Sequence, residues 1–328
     1  MKRLSLLAAC AVFLACGPGA NINFKNGFPR AETVKLEFPS KGASALTSNT
    51  GTNKDALKGD HSSFYDITRG VTLGVNTGVG FVLGLVKTIA DHHPTSTTAD
   101  TAVWGPYTED LSPNTWKFTV TAVGQDYNYK LEGKPKTAGD SAYVTVLSGT
   151  HTPALDQNGN AIEGFGAGTF TLDWDAAKTL PEHDNNVGKA VVQYSRPDAT
   201  SDVTITVGFN QVRDDATGNL VDANYTYAKH PGQGGSFEFS TNKNLDEAHS
   251  ALIEHLTIKS RWNPDGAGRA DVKATGGDLT SEATANECWD SNFNSQYMAA
   301  SWAPNVPELN YGDEATDCAF PTAEYSNL

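Results

Sequence analysis

The chain has 328 residues, 38% of them hydrophobic, and its formal net charge is −14. So negative a chain argues against nucleic acid as a partner, because phosphate binding depends on Lys and Arg. It also argues against electrostatic attraction to anionic lipid. The length suits one large domain or two small ones.

Residues 1–15 are typical of a signal peptide, in which Lys2 and Arg3 precede an apolar run too short to span a bilayer. Cys16 follows Ala15 directly, which resembles the lipobox of bacterial lipoproteins, where this Cys becomes the lipidated N-terminus. Cys10 also lies in a fitting motif but would leave a very short apolar region. We therefore expect a cell-envelope, outer-membrane lipoprotein anchored through Cys16, in the periplasm or on the surface; the alternative is an ordinary secreted protein.

Residues 16–61 are predicted to form a polar tether with one short strand. The strand is expected at Glu32–Phe38, where apolar and charged residues alternate. The Ser-, Thr-, Asn- and Gly-rich residues that follow are typical of a flexible linker.

Residues 70–90, GVTLGVNTGVGFVLGLVKTIA, fit both a helix and a strand. A helix is favoured because Ser62 or Ser63 can cap its start, Asp66 suits its first turn and Pro94 can end it. We expect it to be long, apolar and packed on a sheet. The alternatives are a strand or hairpin, and a membrane span.

Ten segments after residue 115 have the alternating or β-branched pattern of strands, joined by turn signals such as Asn158-Gly159. They predict a mainly β (α+β) fold for residues 62–280. We expect an antiparallel meander of about ten strands that forms a half-barrel or an open barrel, with the helix packed on it.

Residues 281–328 are acidic and rich in aromatic residues, and they are predicted to form an irregular C-terminal cap. Cys288 and Cys318 are an even pair in an exported chain, which predicts a disulfide that closes the cap. Arg261 and Arg269 are candidates to pair with its acidic side chains.

Sequence motifs give little support to catalysis or metal binding, so no cofactor, no metal and no catalytic residue is predicted. Asp156–Glu163 partly resembles a calcium loop, but Ala161 stands where that loop needs Gly, and a hairpin is favoured. A hydrolase would require His151, His183 and His230 to converge in one cleft.

Several runs together, among them FYDITRG, VWGPYT, LSGTHTP, GTFTLDWDAA, SRWNPDGAGRADV and ECWDSNF, resemble a family of uncharacterised myxobacterial-type lipoproteins. The resemblance covers most of residues 64–293 and carries over no functional residues. A weaker, architectural likeness is to periplasmic lipoprotein carriers and lipid-binding mycobacterial lipoproteins, which are half-barrels with a packed helix.

The leading functional hypothesis is a non-catalytic protein that binds an apolar ligand, such as an acyl chain or lipid, on the concave face of the sheet. The predicted lining consists of Val71, Val75, Val79, Val82 and Val86. The alternatives are a structural or adhesive surface lipoprotein without a small ligand, and a hydrolase. The membrane, reached through the lipid, is the expected partner.

Overall fold

The structure, a computed structural model, describes residues 22–40, 57–181, 183, 185–213, 218–245 and 252–328. At helix positions 77, 78, 81, 82 and 85 it describes the backbone only. The signal peptide, Cys16 and the first part of the expected tether lie outside the described residues.

One open antiparallel sheet dominates the fold, and its strands neighbour one another strictly in chain order. The strands are β1 Ser96–Thr97, β2 Thr101–Tyr107, β3 Asn114–Val123, β4 Asp126–Pro135, β5 Val144–Leu155, β6 Ala161–Asp173, β7 Lys189–Arg196, β8 Val203–Arg213, β9 Leu220–His230, β10 Gly234–Lys243, β11 Glu254–Trp262, β12 Gly268–Gly276, β13 Ala283–Trp289, β14 Ser295–Ala300 and β15 Asn310–Tyr311.

The predicted meander is confirmed, but the expected number of about ten strands is wrong. The ten predicted segments correspond to β3–β12, while β1, β2, β13, β14 and β15 extend the sheet at both ends. Asn263–Gly266 shows why the turn signals work: Gly266 has a φ of +97°, which Gly adopts without a steric penalty.

Helix α1 spans Ser63–Asp91 and begins as expected, with the Ser62 side chain accepting a hydrogen bond from the Tyr65 backbone N–H. The expectation of a long apolar helix is wrong, because α1 is amphipathic. Its buried stripe includes the hydroxyls of Thr68 and Thr72, while Asp66 is exposed. Among the described residues, no helix has both the length and the apolarity to cross a membrane.

Two further helices are a single turn each, α2 at Trp174–Ala177 and α3 at Glu314–Asp317. Short 3-10 helices lie at Phe24–Asn26, Ala31–Val34, Asp140–Ala142 and Pro307–Leu309.

The N-terminal segment, residues 22–40, packs on the sheet, unlike the expected polar tether. The 3-10 helix Ala31–Val34 and an extended stretch replace the predicted strand Glu32–Phe38. Its apolar side chains Phe28 and Leu36 are each only 2% exposed. Leu36 is also fixed to α1, because its N–H and C=O pair with the side-chain amide of Asn76, both at 2.8 Å.

The main core lies between the inner face of the sheet and these two segments, α1 and the N-terminal segment. Inner-face residues form rows across neighbouring strands, since each pairs directly with the next. One row comprises Val120, Tyr129, Gly149, Phe170, Val192, Val207, Tyr225, Phe239, Ile258, Val272, Ala285 and Ala300. Burial of this apolar surface is the main force that holds the segments to the sheet.

The C-terminal tail covers the opposite, outer face of β11–β13. The predicted disulfide Cys288–Cys318 is confirmed, and the predicted ion pairs join Arg261 to Glu324 and Arg269 to Glu314. The cap is less irregular than expected, because residues 283–300 supply β13 and β14 of the sheet.

Candidate functional site

Two cavities lined by described residues lie on the inner face, at opposite ends of the middle strands. The polar cavity has a volume of about 630 Å³ and lies between the N-terminal segment, the β3–β4 turn and the β5–β6 hairpin. The helix–sheet cavity has a volume of about 470 Å³ and lies between α1 and the ends of β6–β8. Both volumes fall within the range of about 300–1,000 Å³ usual for small-molecule sites.

The helix–sheet cavity has mainly apolar walls. Its lining includes Val75 and Val79 of α1 and, from the sheet, Leu172, Trp174, Val207 and Phe209. Among the lining residues, Asn186 and Arg213 are exposed polar groups, and they mark a polar rim. An apolar interior with a few polar groups at its edge is typical of a ligand site.

The five valines predicted to line the ligand site have different surroundings in the structure. Val75 and Val79 lie on the cavity wall, and Val71 packs, half-buried, against the core. The Val86 side chain is fully buried in the core, so it has no accessible surface that a ligand could contact. The side chain of Val82 lies outside the described part of the structure.

The polar cavity is lined by a cation and an imidazole from different segments. Arg30 enters from the N-terminal segment and His151 from β5. The Arg30 side chain lies over the Phe28 ring, 5.2 Å from its centroid, and its Nε is 3.8 Å from the carboxylate of Glu163. The Arg30 Nη1 is buried, and no described residue is its hydrogen-bond partner.

His151 is buried, with only 4% of its surface exposed, and its Nδ1 lies 2.8 Å from the Tyr194 hydroxyl. Burial, and secondarily the positive charge of Arg30, lower the pKa of His151 to about 4, so the ring is neutral at pH 7. Burial likewise raises the pKa of Tyr194. Gly166 makes room for the ring, since a Cβ there would lie 2.5 Å from His151 Cε1.

The histidines of the hydrolase hypothesis do not form a common cleft. His151 is on β5, while His230 ends β9 and pairs with Asp202 at 2.8 Å. Four strand spacings of about 4.8 Å separate β5 from β9, which is about 19 Å along the sheet. His183 lies in the connection between α2 and β7, away from both strands in sequence.

Among the described residues, no three His, Cys, Asp or Glu side chains lie close enough together to hold a metal ion. The calcium-like loop is a hairpin turn as favoured, and the Asp156 carboxylate accepts backbone N–H groups of Asn158 and Asn160 at 2.8 Å. These hydrogen bonds lower the pKa of Asp156.

Sequence reasoning missed Arg30 and the Tyr194 partner of His151. Arg30 stands in a polar stretch with no motif around it. Only the fold of the N-terminal segment onto β5 and β6 brings Arg30 and His151 to one cavity.

Comparison with known proteins finds no match. The chain matches no family model, no curated protein and no solved structure. Its resemblance to myxobacterial-type lipoproteins, and its likeness to half-barrel carriers, stay predictions.

Proposed function

We propose that the protein is a lipid-anchored, non-catalytic envelope protein that binds an apolar ligand, such as an acyl chain or lipid, in the helix–sheet cavity. The observation that carries the proposal is the 470 Å³ space between α1 and β6–β8, lined mainly by apolar side chains. Removal of apolar ligand surface from water would drive binding, at about 25 cal/mol for each Å².

The position of the cavity supports the proposed role of α1 as a cover. Towards its C-terminal end, Leu83, Val86 and Ala90 are at most 2% exposed, so this half of the helix fills the space above the sheet. Val75 and Val79, nearer the middle of the helix, line the cavity. The buried C-terminal part of α1 therefore helps to hold the helix on the sheet, while the part around Val75 and Val79 would cover the ligand.

Curvature of the sheet supports the half-barrel. The start of α1 is bound to β13, where Glu287 accepts the Phe64 N–H, and its end is bound to β2, where Trp104 Nε1 donates to the His92 carbonyl. In a flat sheet β2 and β13 would lie about 53 Å apart, eleven strand spacings. The helix between these contacts is only about 42 Å long, a shorter span that supports a sheet curved towards the helix.

Membrane attachment is proposed through Cys16, which the sequence pattern supports. Only five residues, 17–21, separate Cys16 from Ile22, where the described N-terminal segment begins. The six Cα-to-Cα steps from Cys16 to Ile22 span at most about 22 Å. A lipid on Cys16 would therefore hold the sheet close to the membrane surface, the source of the proposed ligand.

Two glycines of α1 allow a matched test. Both glycines are exposed, but Gly74 lines the helix–sheet cavity and Gly84 does not. A Cβ at either position meets no atom within 4 Å, so both accept a larger side chain. Both substitutions also remove the same entropic cost of Gly in a helix.

We expect Gly74→Phe to weaken binding of the neutral dye N-phenyl-1-naphthylamine by about tenfold or more, about 1.4 kcal/mol, because the ring occupies the cavity. Gly84→Phe should bind the dye as the wild type does. The measurement is a fluorescence titration, with displacement by a fatty alcohol as a check that the site accepts an acyl chain.

Equal dye binding by the two variants would contradict the proposed site. If the wild-type protein binds no dye and carries no extractable lipid, the ligand proposal fails, and the structural or adhesive surface role takes its place.

A further inference from the structure

The Arg30 side chain lies at the polar cavity with 17% of its surface exposed, and among the described residues most of its hydrogen-bonding capacity is unused. A guanidinium has five N–H donors. Among the described residues its side chain makes one long hydrogen bond, 3.5 Å from Nη2 to the Lys25 carbonyl. The ion pair with Glu163 at 3.8 Å is too long for a hydrogen bond, and Nη1 has no partner.

A second arginine, at the end of β7, binds the same N-terminal segment and shows what a structural guanidinium looks like in this fold. Arg196 donates from Nε to the Thr33 carbonyl at 3.1 Å and from Nη2 to the Lys35 carbonyl at 2.9 Å. Those bonds fix the N-terminal segment to β7. Among the described residues Arg30 has no comparable bonds, and its buried Nη1 donor is costly unless an acceptor satisfies it.

The groups around Arg30 favour an acceptor that carries negative charge. His151 lies in the same cavity, and its Nδ1 is already engaged with Tyr194, which leaves Nε2 for a ligand. Glu163 is the acidic residue of the lining, but its side chain is 80% exposed and can turn to solvent. Tyr127, also in the lining, stays neutral because burial raises its pKa.

The cavity also has room for more than an ion. Phe28, Leu155, Ile162 and Phe165 contribute apolar surface to its walls. A volume of 630 Å³ far exceeds that of one carboxylate or phosphate group. A fitting ligand therefore joins an oxyanion to an apolar body.

We propose that the polar cavity binds an organic oxyanion, a carboxylate or phosphate attached to an apolar group, with Arg30 as the anion ligand and His151 Nε2 as a second polar contact. Arginine suits this role because its planar guanidinium matches both oxyanions. The site is separate from the helix–sheet cavity and does not depend on the apolar ligand proposed there.

Calorimetric titration of the protein with phenyl phosphate and benzoate tests the proposal, with inorganic phosphate and acetate as the small anions. We expect the aromatic probes to bind, and to bind about tenfold more tightly than the small anions. NMR should show the His151 imidazole signals shifting on addition of phenyl phosphate, which places the probe in this cavity.

Three variants isolate the anion contact. Arg30→Gln should reduce affinity for phenyl phosphate by about tenfold or more, yet leave the thermal midpoint nearly unchanged, because the guanidinium makes few bonds. Glu163→Gln should bind at least as tightly as the wild type, since a competing carboxylate is removed. Lys25→Gln is the control: it removes a cation from the same segment at a residue outside the cavity lining, and should bind like the wild type.

Vesicles that contain phosphatidylglycerol separate a lipid headgroup from a free metabolite as the source of the oxyanion. Binding to vesicles that is lost in Arg30→Gln, with no binding of the free probes, would assign the site to a headgroup. Wild-type affinity in Arg30→Gln for every probe, equal losses in Lys25→Gln and Arg30→Gln, or no binding of any probe or vesicle would overturn the proposal.

Discussion

His151 shows how burial fixes the chemistry of one residue. It is 4% exposed beside Tyr194, and burial lowers its pKa from 6.5 to about 4. The unfolded chain therefore takes up a proton at His151 as the pH falls below about 6.5, while the folded protein does not until about pH 4. The stability due to the neutral ring is complete above pH 6.5 and is lost as the pH falls through this window.

We expect this effect to appear as a pH-dependent difference between the wild type and His151→Gln. Gln does not titrate and can keep a hydrogen bond to Tyr194. Between pH 7.5 and pH 4.5 the advantage of the wild type should shrink by about 2–3 kcal/mol, the free energy linked to the lowered pKa. Urea unfolding at both pH values measures it, and a difference that is constant with pH would contradict the burial of a neutral His151.

Some residue pairs could be predicted from the sequence and others could not. Cys288 and Cys318 were the only two Cys beyond the signal region, so their pairing followed from counting. No such signal predicted that Arg30 and His151 line the same cavity, because the two residues are 121 positions apart and lie in unrelated patterns.

At the level of elements, the sequence predicted the ends of helix α1 better than its faces. The capping residue Ser62 and the position of the helix were readable from the sequence, as were ten strands with regular alternation. The apolar character was misjudged, since periodicity did not show which stripe faces the sheet or that it includes Thr68 and Thr72.

Four of the missed strands lack a clear strand signal, for different physical reasons. β1 and β15 have two residues each, too few for a pattern. β2 contains Gly105-Pro106, a turn signal within a strand. β13 consists largely of small and polar residues, ATANECW, and its pairing with β12 and β14 overrides this weak strand propensity.

The start of α1 depends on a carboxylate from the sheet. Glu287 of β13 is 1% exposed, and it accepts the Phe64 N–H at 2.7 Å and the Ser63 N–H at 3.3 Å. Burial raises the pKa of Glu287, although these hydrogen bonds oppose the shift. The positive end of a helix favours such an acceptor, so this contact joins the helix to the far end of the sheet.

We expect Glu287→Gln to lower the free energy of unfolding by about 1–3 kcal/mol, because the buried N–H groups lose their charged acceptor. Glu282→Gln, an exposed position just before β13, is the control and should change it by less than about 0.5 kcal/mol. Urea unfolding compares the two, and hydrogen exchange at Ser63 and Phe64 should accelerate only in Glu287→Gln. Unaltered exchange at these amides would show that Glu287 does not hold the helix.

At the scale of the whole molecule, the N-terminal segment and α1 cross the inner face of one open sheet, beside the polar cavity and the helix–sheet cavity. A meander of successive strands was predictable, because neighbouring strands in the sheet are consecutive in the chain. The cavities were not predictable, since they depend on how the N-terminal segment and α1 pack on the sheet.

The outer face of the sheet has its own buried polar contacts. Arg269 and Asp271 are both fully buried there beneath the C-terminal tail, and the Arg269 Nε is 2.6 Å from Asp271 Oδ1. The disulfide closes the same region. This arrangement lies at the end of the sheet to which the start of α1 is bound.

Photolabelling with a neutral, diazirine-bearing fatty alcohol tests the central claim most directly. The probe has no charge for the polar cavity, so labelling should concentrate on peptides from residues 70–79 of α1 and from β8, the two walls of the helix–sheet cavity. Gly74→Phe should abolish that labelling, and Gly84→Phe should leave it intact. Labels confined to exposed apolar residues such as Leu111 and Trp302, unchanged in Gly74→Phe, would contradict an apolar ligand site beneath the helix.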